Sequence, residues 1–420
     1  MQEHRPARRG GGGAVTIERR SPFAALSVVG YRWFAFAQAL GNGAMWMHRT
    51  AHVWLVIELS GRDGVAVGVV TGLQYIPMIV LGLSGGALGD RFDKRRMMLL
   101  TQGVVVVASL VLAALVARDA VTLPIAYVFA VLLGIPGALD APVRLSYPRQ
   151  LVPTELLAAA VGINGAVFQL ARIAGPALAG GVIAFSTTTL AFALVAALGL
   201  VACGALWRAH PFPGSQAPRE ARPGGARWRS TELRTSAYLV PLLGGLLLGV
   251  GMTHLQLALP LLVDPTEGGA AGTFGTLTAM IGLGGVVGAG LAASFTEVTN
   301  RTLLLLSSAF AVVTVVVSTL PQGIALAAGL FVAGTTMQLY GTSAISALQL
   351  RSPADVQGRL MAVYVVVFFV WAPVGAPVFG WFTNLVGVRQ ALGGSGLLCL
   401  VVAVVALALR GGRTAALPER

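Results

Sequence analysis

Apolar runs of about twenty residues recur twelve times along the chain, and each is continuous instead of alternating. A run of that length crosses a hydrocarbon core of about 30 Å as a helix rising ~1.5 Å per residue. In lipid the only other way to pair every backbone N–H and C=O is a closed barrel, and barrel strands alternate with period two. The sequence therefore predicts an all-α integral membrane protein of twelve transmembrane helices. The expected spans lie near 32–57, 66–88, 97–117, 122–143, 158–184, 187–207, 237–262, 273–294, 302–319, 322–346, 357–383 and 391–409. Only 11% of the 420 residues are charged, against about a quarter in soluble domains, so little of the chain is built to face water.

Between the runs, composition sets the organisation. Residues 1–30 are Arg/Gly-rich without an apolar centre and read as a disordered arm, not a cleaved signal peptide. Residues 31–207 form a first six-helix bundle and 237–410 a second. The stretch 208–236, rich in Pro, Gly and Arg, links them, and 411–420 is a tail. The net charge of +13 is a topology signal and not a nucleic-acid surface. Twenty-four of the 29 basic residues fall on the side of the termini and linker, and only Arg62, Arg118 and Arg389 fall in the opposite loops. Basic loops resist translocation, so both termini and the linker are expected in the cytoplasm. Attraction to anionic membrane lipid follows as a side effect. The use of 28 arginines against the single Lys94 is associated with GC-rich bacterial genomes, which points to a bacterial cytoplasmic membrane.

Several function classes fall away. Cys203 and Cys399 lie inside apolar runs and read as inert thiols. There is no His/Cys/carboxylate cluster at ligand spacing, no Walker loop and no GxSxG elbow, so neither metal nor cofactor is expected. The loops hold no nucleotide domain, which leaves a gradient as the energy source. A membrane-embedded acyltransferase would need a His/carboxylate constellation at an interface, and the histidines sit on apolar helices far from any acid.

The loop after the second run reads Gly86-Ala87-Leu88-Gly89-Asp90-Arg91-Phe92-Asp93-Lys94-Arg95-Arg96. It resembles the G-x-L-a-D-r-x-G-r-[RK] signature of the major facilitator superfamily, at the place where that family carries it, with Asp93 where a glycine is usual. A finer resemblance, to the enterobactin-exporter and macrolide-efflux branch of transmembrane secretion effectors, runs through Trp46-Met47-His48-Arg49-Thr50-Ala51-His52-Val53-Trp54-Leu55-Val56. It continues in Leu139-Asp140-Ala141-Pro142-Val143-Arg144, in Val152-Pro153, and in Leu170 to Gly180. The resemblance implies two pseudo-symmetric six-helix bundles. It also implies a cytoplasmic gate motif in which Gly86, Asp90, Arg91, Lys94 and Arg95 meet the start of span eleven near Asp355 and Arg359. Asp140 and Arg144, four apart, read as a structural or gating pair. A shift of 200 residues aligns Pro153 with Pro353, Glu155 with Asp355, Phe168 with Phe368, Gly175 with Gly375 and Gly180 with Gly380. These are a turn proline, a helix-start acid and packing glycines, as related halves would keep. With Pro176, the four glycines are candidate helix-packing positions.

For a substrate cavity the candidates come from spacing. In span one Gln38, Asn42, Met45, Arg49 and His52 recur at steps of three and four, one polar helix face. Span five adds Asn164, Phe168, Gln169 and Arg172, and spans seven and ten add His254, Gln256, Gln338 and Tyr340. A charge near mid-membrane costs about 2.5–3.5 kcal/mol even on lenient scales, so Arg49 and Arg172 should face water, a partner or a substrate. No acid lies near the middle of any span. Proton antiport would thus fall to Asp140 or the histidines; uniport and potential-driven carriage stay open. The expected function is a secondary active transporter, a monomer, exporting a small amphipathic metabolite or drug. The alternatives are an importer and a lipid or siderophore transporter on the same scaffold.

Overall fold

The computed structural model describes residues 23–91, 93–211, 236–263, 270–295, 298–352 and 354–411, without the side chains of 82–91, 141–142, 158, 236, 354–359, 362 and 410–411. Residues 1–22 of the expected arm (1–30), 212–235 of the linker and 412–420 of the tail lie outside the described residues, whereas 23–30, expected as disordered arm, hold a 3-10 turn and the start of the first long helix. A one-turn 3-10 helix, Ala24–Ser27, leads into fourteen helices: α1 Val29–Ser60, α2 Gly64–Arg91, α3 Lys94–Val116, α4 Leu123–Ser146, the short α5 Pro148–Leu151, α6 Leu157–Phe185, α7 Thr188–Arg208, α8 Ser236–Leu262, α9 Ala270–Ala292, α10 Asn300–Thr319, α11 Ile324–Arg351, α12 Ala354–Phe369, α13 Ala372–Val386 and α14 Val388–Gly411. Eleven spans are long and apolar enough to cross a membrane. The 32-residue α1, less apolar because of its polar stripe, makes the twelfth.

Local chemistry explains the ends. Gly61, at φ +62°, closes α1 with its N–H on the Ile57 carbonyl, a left-handed cap that glycine adopts without steric cost. Asp93 caps α3 by accepting from the Arg96 N–H. The residue that departs from the family signature is therefore the one that starts the next helix. Thr187 and Thr299 cap α7 and α10 in the same way. The eleventh span is not the single helix expected over 357–383. It breaks between Phe369 and Ala372, because Pro373 has no N–H to continue the ladder and its ring crowds the preceding turn.

The helices cross back and forth, leaving one proximal end, which carries both ends of the described chain, and one distal end. Within the first half α1 packs on α6 and α7, α2 on α4, and α3 on α7; within the second, α9 packs on α11 and α10 on α14. The halves meet through α2 against α13 and α6 against α9. Counted as spans these are two against eleven and five against eight, pairs that exchange under a six-span shift, as a pseudo-two-fold axis requires. Outward faces of α3 and α14 show Val107, Leu110, Leu398 and Val401, apolar groups suited to lipid.

Candidate functional site

At the distal end the two halves touch main chain to main chain. A methyl group built on Gly180 of α6 would meet the Ala271 carbonyl oxygen at 2.5 Å and the Gly275 Cα at 2.7 Å; one on Gly275 would meet the Pro176 carbonyl at 2.6 Å. On the symmetry-related side, Gly380 of α13 faces the Gly64 backbone, Gly68 faces Ala376, and Gly72 faces Pro373. Gly64, Gly68 and Gly72 are spaced every four residues, one face of α2, and this small-residue repeat is a signal the sequence reading passed over. Of the other packing candidates, Gly175 brings α6 onto α1 at Trp46 and Met47, whereas Gly375 makes room for the indole of Trp371, the residue just before its own helix.

Polar bonds reinforce this seal. Arg62, in the loop between α1 and α2, donates from Nη2 to the carbonyls of Pro260, Leu261 and Val263 at 3.2, 3.0 and 2.6 Å. Those carbonyls close α8, where the helix dipole favours a cation. Asn384 of α13 accepts from the Gly64 N–H at 2.9 Å and donates to Asp63 Oδ1 at 2.6 Å. The stacked rings of Trp54 and Phe274, 5.9 Å apart, bridge the halves just below.

Midway through the helices lie two cavities. The smaller, ≈ 80 Å³, is lined by Arg49, Arg172, Gln256, Phe274 and Ile281 among others. The larger, ≈ 250 Å³, extends toward the proximal end and reaches Asn42, Met45, His52, Asp140, Arg144, Phe168 and Phe369. Trp46, Arg49, Gln74 and Tyr75 line both. The Arg49 guanidinium lies 4.6 Å from the Tyr75 ring centre and 5.6 Å from that of Trp46, and donates to Gln74 at 3.3 Å. Arg172 is 5.9 Å from the same Trp46 ring and donates to Gln338 at 3.4 Å, across the halves. Among the described residues neither arginine has a carboxylate partner. Tyr75 stacks on Phe369 at 5.2 Å, so the cation–aromatic array also spans the halves.

The remaining candidates divide by depth. Gln38 sits proximal of the cavities, accepting from Asn42 at 3.4 Å. Asn164 accepts from the Tyr31 hydroxyl at 3.1 Å, and Gln169 is half-buried with its amide nitrogen unpaired among the described residues. His254 stacks on Phe379 at 4.2 Å and accepts from the Trp371 indole N–H at 3.0 Å. Tyr340, fully buried, donates to the Pro241 carbonyl at 3.0 Å and ties α11 to α8. None of these, nor Gln338, lines either cavity. His52 does; its Nε2 lies 3.0 Å from the Ala126 carbonyl, which can only accept, so Nε2 donates, and Nδ1 is buried without a partner among the described residues. His48, one turn earlier, is also buried and lies 3.2 Å from the Ser109 hydroxyl.

Toward the proximal end Asp140 pairs with Arg144, which also donates to Asn42, and Thr101 donates to Asp140 at 3.4 Å. This network joins α1, α3 and α4. Lys94 donates to Ser146 at 2.8 Å, and Arg95 donates to the Leu206 and Trp207 carbonyls that end α7. Tyr147, in the turn after α4, donates to the Ala209 carbonyl at 2.9 Å. Burial pushes its phenol up to about 12, with Arg95 opposing and Asp93 adding to the rise. The side chains of Gly86, Asp90, Arg91, Asp355 and Arg359, the expected gate, lie outside the described residues.

A family model described as transmembrane secretion effector matches residues 20–417. A staphyloferrin A transporter of Staphylococcus aureus is 24% identical over 60% of the chain, and an uncharacterised MFS-type transporter of Sinorhizobium fredii is 28% identical over 61%. The matches span 63% and 65% of those relatives' own lengths. Among solved structures, a bacterial homolog of the human lysosomal transporter Spinster, inward-facing and occupied, superposes with a TM-score of 0.70 at 14% identity, covering 93% of this chain and 97% of that one. A nucleoside transporter, NupG, superposes with a TM-score of 0.68 at 10% identity, covering 90% and 98%.

Proposed function

Because the chain belongs to the transmembrane secretion effectors of the major facilitator superfamily, we propose that this multi-pass membrane protein is a secondary transporter exporting a small amphipathic metabolite by alternating access. The observation that carries the reading is a cavity lined by two arginines that have no carboxylate partner among the described residues, between two halves whose distal ends are sealed by glycine contacts and by Arg62 and Asn384. Among the described residues, the hydrogen bonds between the halves fall at that distal seal and at Arg172. A carrier with its distal gate shut and its cavity extending to the proximal side is poised to load from the cytoplasm, if the basic loops keep that side inside. Asp90 and the start of α12 would then latch the proximal side in the opposite state.

Proton antiport is the coupling this reading favours, and Asp140, the acid that lines the larger cavity and pairs with Arg144, is the residue it would depend on. A relative named for staphyloferrin A supports siderophore carriage as a second reading on the same scaffold. Inverted membrane vesicles decide between export and import. They should accumulate substrate when a proton gradient is imposed, lose that stimulation with a protonophore, and lose it also in Asp140→Asn. Uptake confined to right-side-out vesicles would overturn export. Uptake indifferent to the gradient in both wild type and Asp140→Asn would overturn proton antiport.

A further inference from the structure

The two cavities differ in charge as well as size. The smaller carries two guanidiniums and, among the described residues, no carboxylate. In the larger, Asp140 and Arg144 neutralise each other, and much of the remaining wall is soft or apolar: Met45, Met78, Leu133, Phe168, Met252 and Phe369. The larger chamber, at ≈ 250 Å³, has about three times the room of the smaller, at ≈ 80 Å³. The shared wall of Trp46, Arg49, Gln74 and Tyr75 is where one molecule would pass from one chamber to the other.

We infer that one substrate occupies both chambers: a single anionic group, a carboxylate or its equivalent, held distally between Arg49 and Arg172, and an uncharged apolar body filling the larger chamber on the proximal side. This rests on the transporter reading and narrows it to organic acids with a hydrophobic body. Guanidiniums present planar forks that match a carboxylate, and the rings of Trp46 and Tyr75 already hold them with their faces, leaving N–H edges for a ligand. The same array repels lipophilic cations, whose charge would meet two like charges in a site of low polarity.

The test is equilibrium binding to purified protein in nanodiscs, with three probes sharing one alkyl body: octanoate, octanol and octyltrimethylammonium. Octanoate should bind best, about tenfold or more over octanol, since a charge-assisted hydrogen bond exceeds a neutral one by roughly that factor; the cation should bind worst. Arg49→Gln and Arg172→Gln should each erase the acid-over-alcohol ratio, and the lysine versions, which keep the charge but lose the fork, should retain part of it. Leu133→Ala, on the wall of the larger chamber alone, should weaken acid and alcohol alike and leave the ratio standing. Equal binding of acid and alcohol, a preference for the cation, or no binding by any of the three overturns the inference. The vesicle experiment judges the transporter reading independently, because it scores movement and not the charge of what moves.

Discussion

Gly180 and Gly181 are neighbours on α6, and the fold treats them oppositely. A methyl on Gly180 would lie 2.5 Å from the Ala271 carbonyl oxygen and 2.7 Å from the Gly275 Cα, whereas one on Gly181 meets nothing within 4 Å. Side-chain methyls essentially never approach other atoms closer than 3.0 Å. The obstacles here are main chain, with no rotamer to swing away, so α6 and α9 must part by about half an ångström at the distal seal. Overpacking of this kind costs about 1–3 kcal/mol. If the halves rock, the cost falls on the distal-closed state alone, because the opposite state separates these helix ends. A bias of that size changes the ratio of states by about 5–150-fold.

The control is built in. Both substitutions gain the same helix propensity, about 0.5–1 kcal/mol, in every state. Spin labels at Asp119, in the distal loop after α3, and at Ala325, in the first turn of α11 in the other half, both exposed, report the opening as a distance distribution by electron–electron resonance. Gly180→Ala should move population from the short to a longer distance, and Gly181→Ala should match the parent. If Gly180→Ala leaves the distribution unchanged, or if both variants shift alike, the glycine contact does not hold the distal gate and the reasoning fails.

Asn384→Ala removes two bonds of the same seal. On an exposed residue, at about 0.5–1.5 kcal/mol per bond, it should open the distal end roughly tenfold, readable with the same labels; Asp63→Ala should act less, since the Gly64 bond to Asn384 survives it. Topology is checked by accessibility after Cys203 and Cys399 are replaced. Asp119→Cys should react with an impermeant thiol reagent from outside intact cells, and Arg149→Cys only after permeabilisation; the reverse pattern would refute the cytoplasmic placement of the termini.

The spans were legible because hydropathy reports burial in lipid directly, and α2 (Gly64–Arg91) differs from its expected 66–88 by only two or three residues at each end. The break in span eleven was hidden because Trp371-Ala372-Pro373 is as apolar as its surroundings; Pro373 was the available sign. Spacing also found the polar face of α1, and Asn42, Met45, Arg49 and His52 of that stripe do line a cavity. Periodicity tells which face a residue occupies but not at what depth, so Gln38 fell outside the cavity. His254 and Tyr340 became packing groups, because a buried ring with one good partner needs no solvent. The distal seal was least visible. Asp63 and Asn384 stand 321 positions apart, and Arg62 entered only as one of three bases on the far side, although its guanidinium closes the end of α8.

The materials of that seal fit a gate that has to open. Among the described residues, the five hydrogen bonds of Arg62 and Asn384 there end on groups that meet bulk water once the halves part. Each therefore contributes its small net value, not its value in vacuum. Backbone contacts at Gly180 and Gly380 add close packing without a side chain to entangle or reorder. A closed state held this way lies a few kcal/mol below the open one at most, within reach of what a ligand with different affinity for the two states can supply. Arg172 sits where such a ligand would act. Its bond to Gln338 crosses the halves at 3.4 Å, long and neutral-partnered, so an anion arriving beside it replaces a weak cross-half bond with a stronger one of its own. Occupancy of the cavity and the grip between the halves are in this way drawn from the same guanidinium.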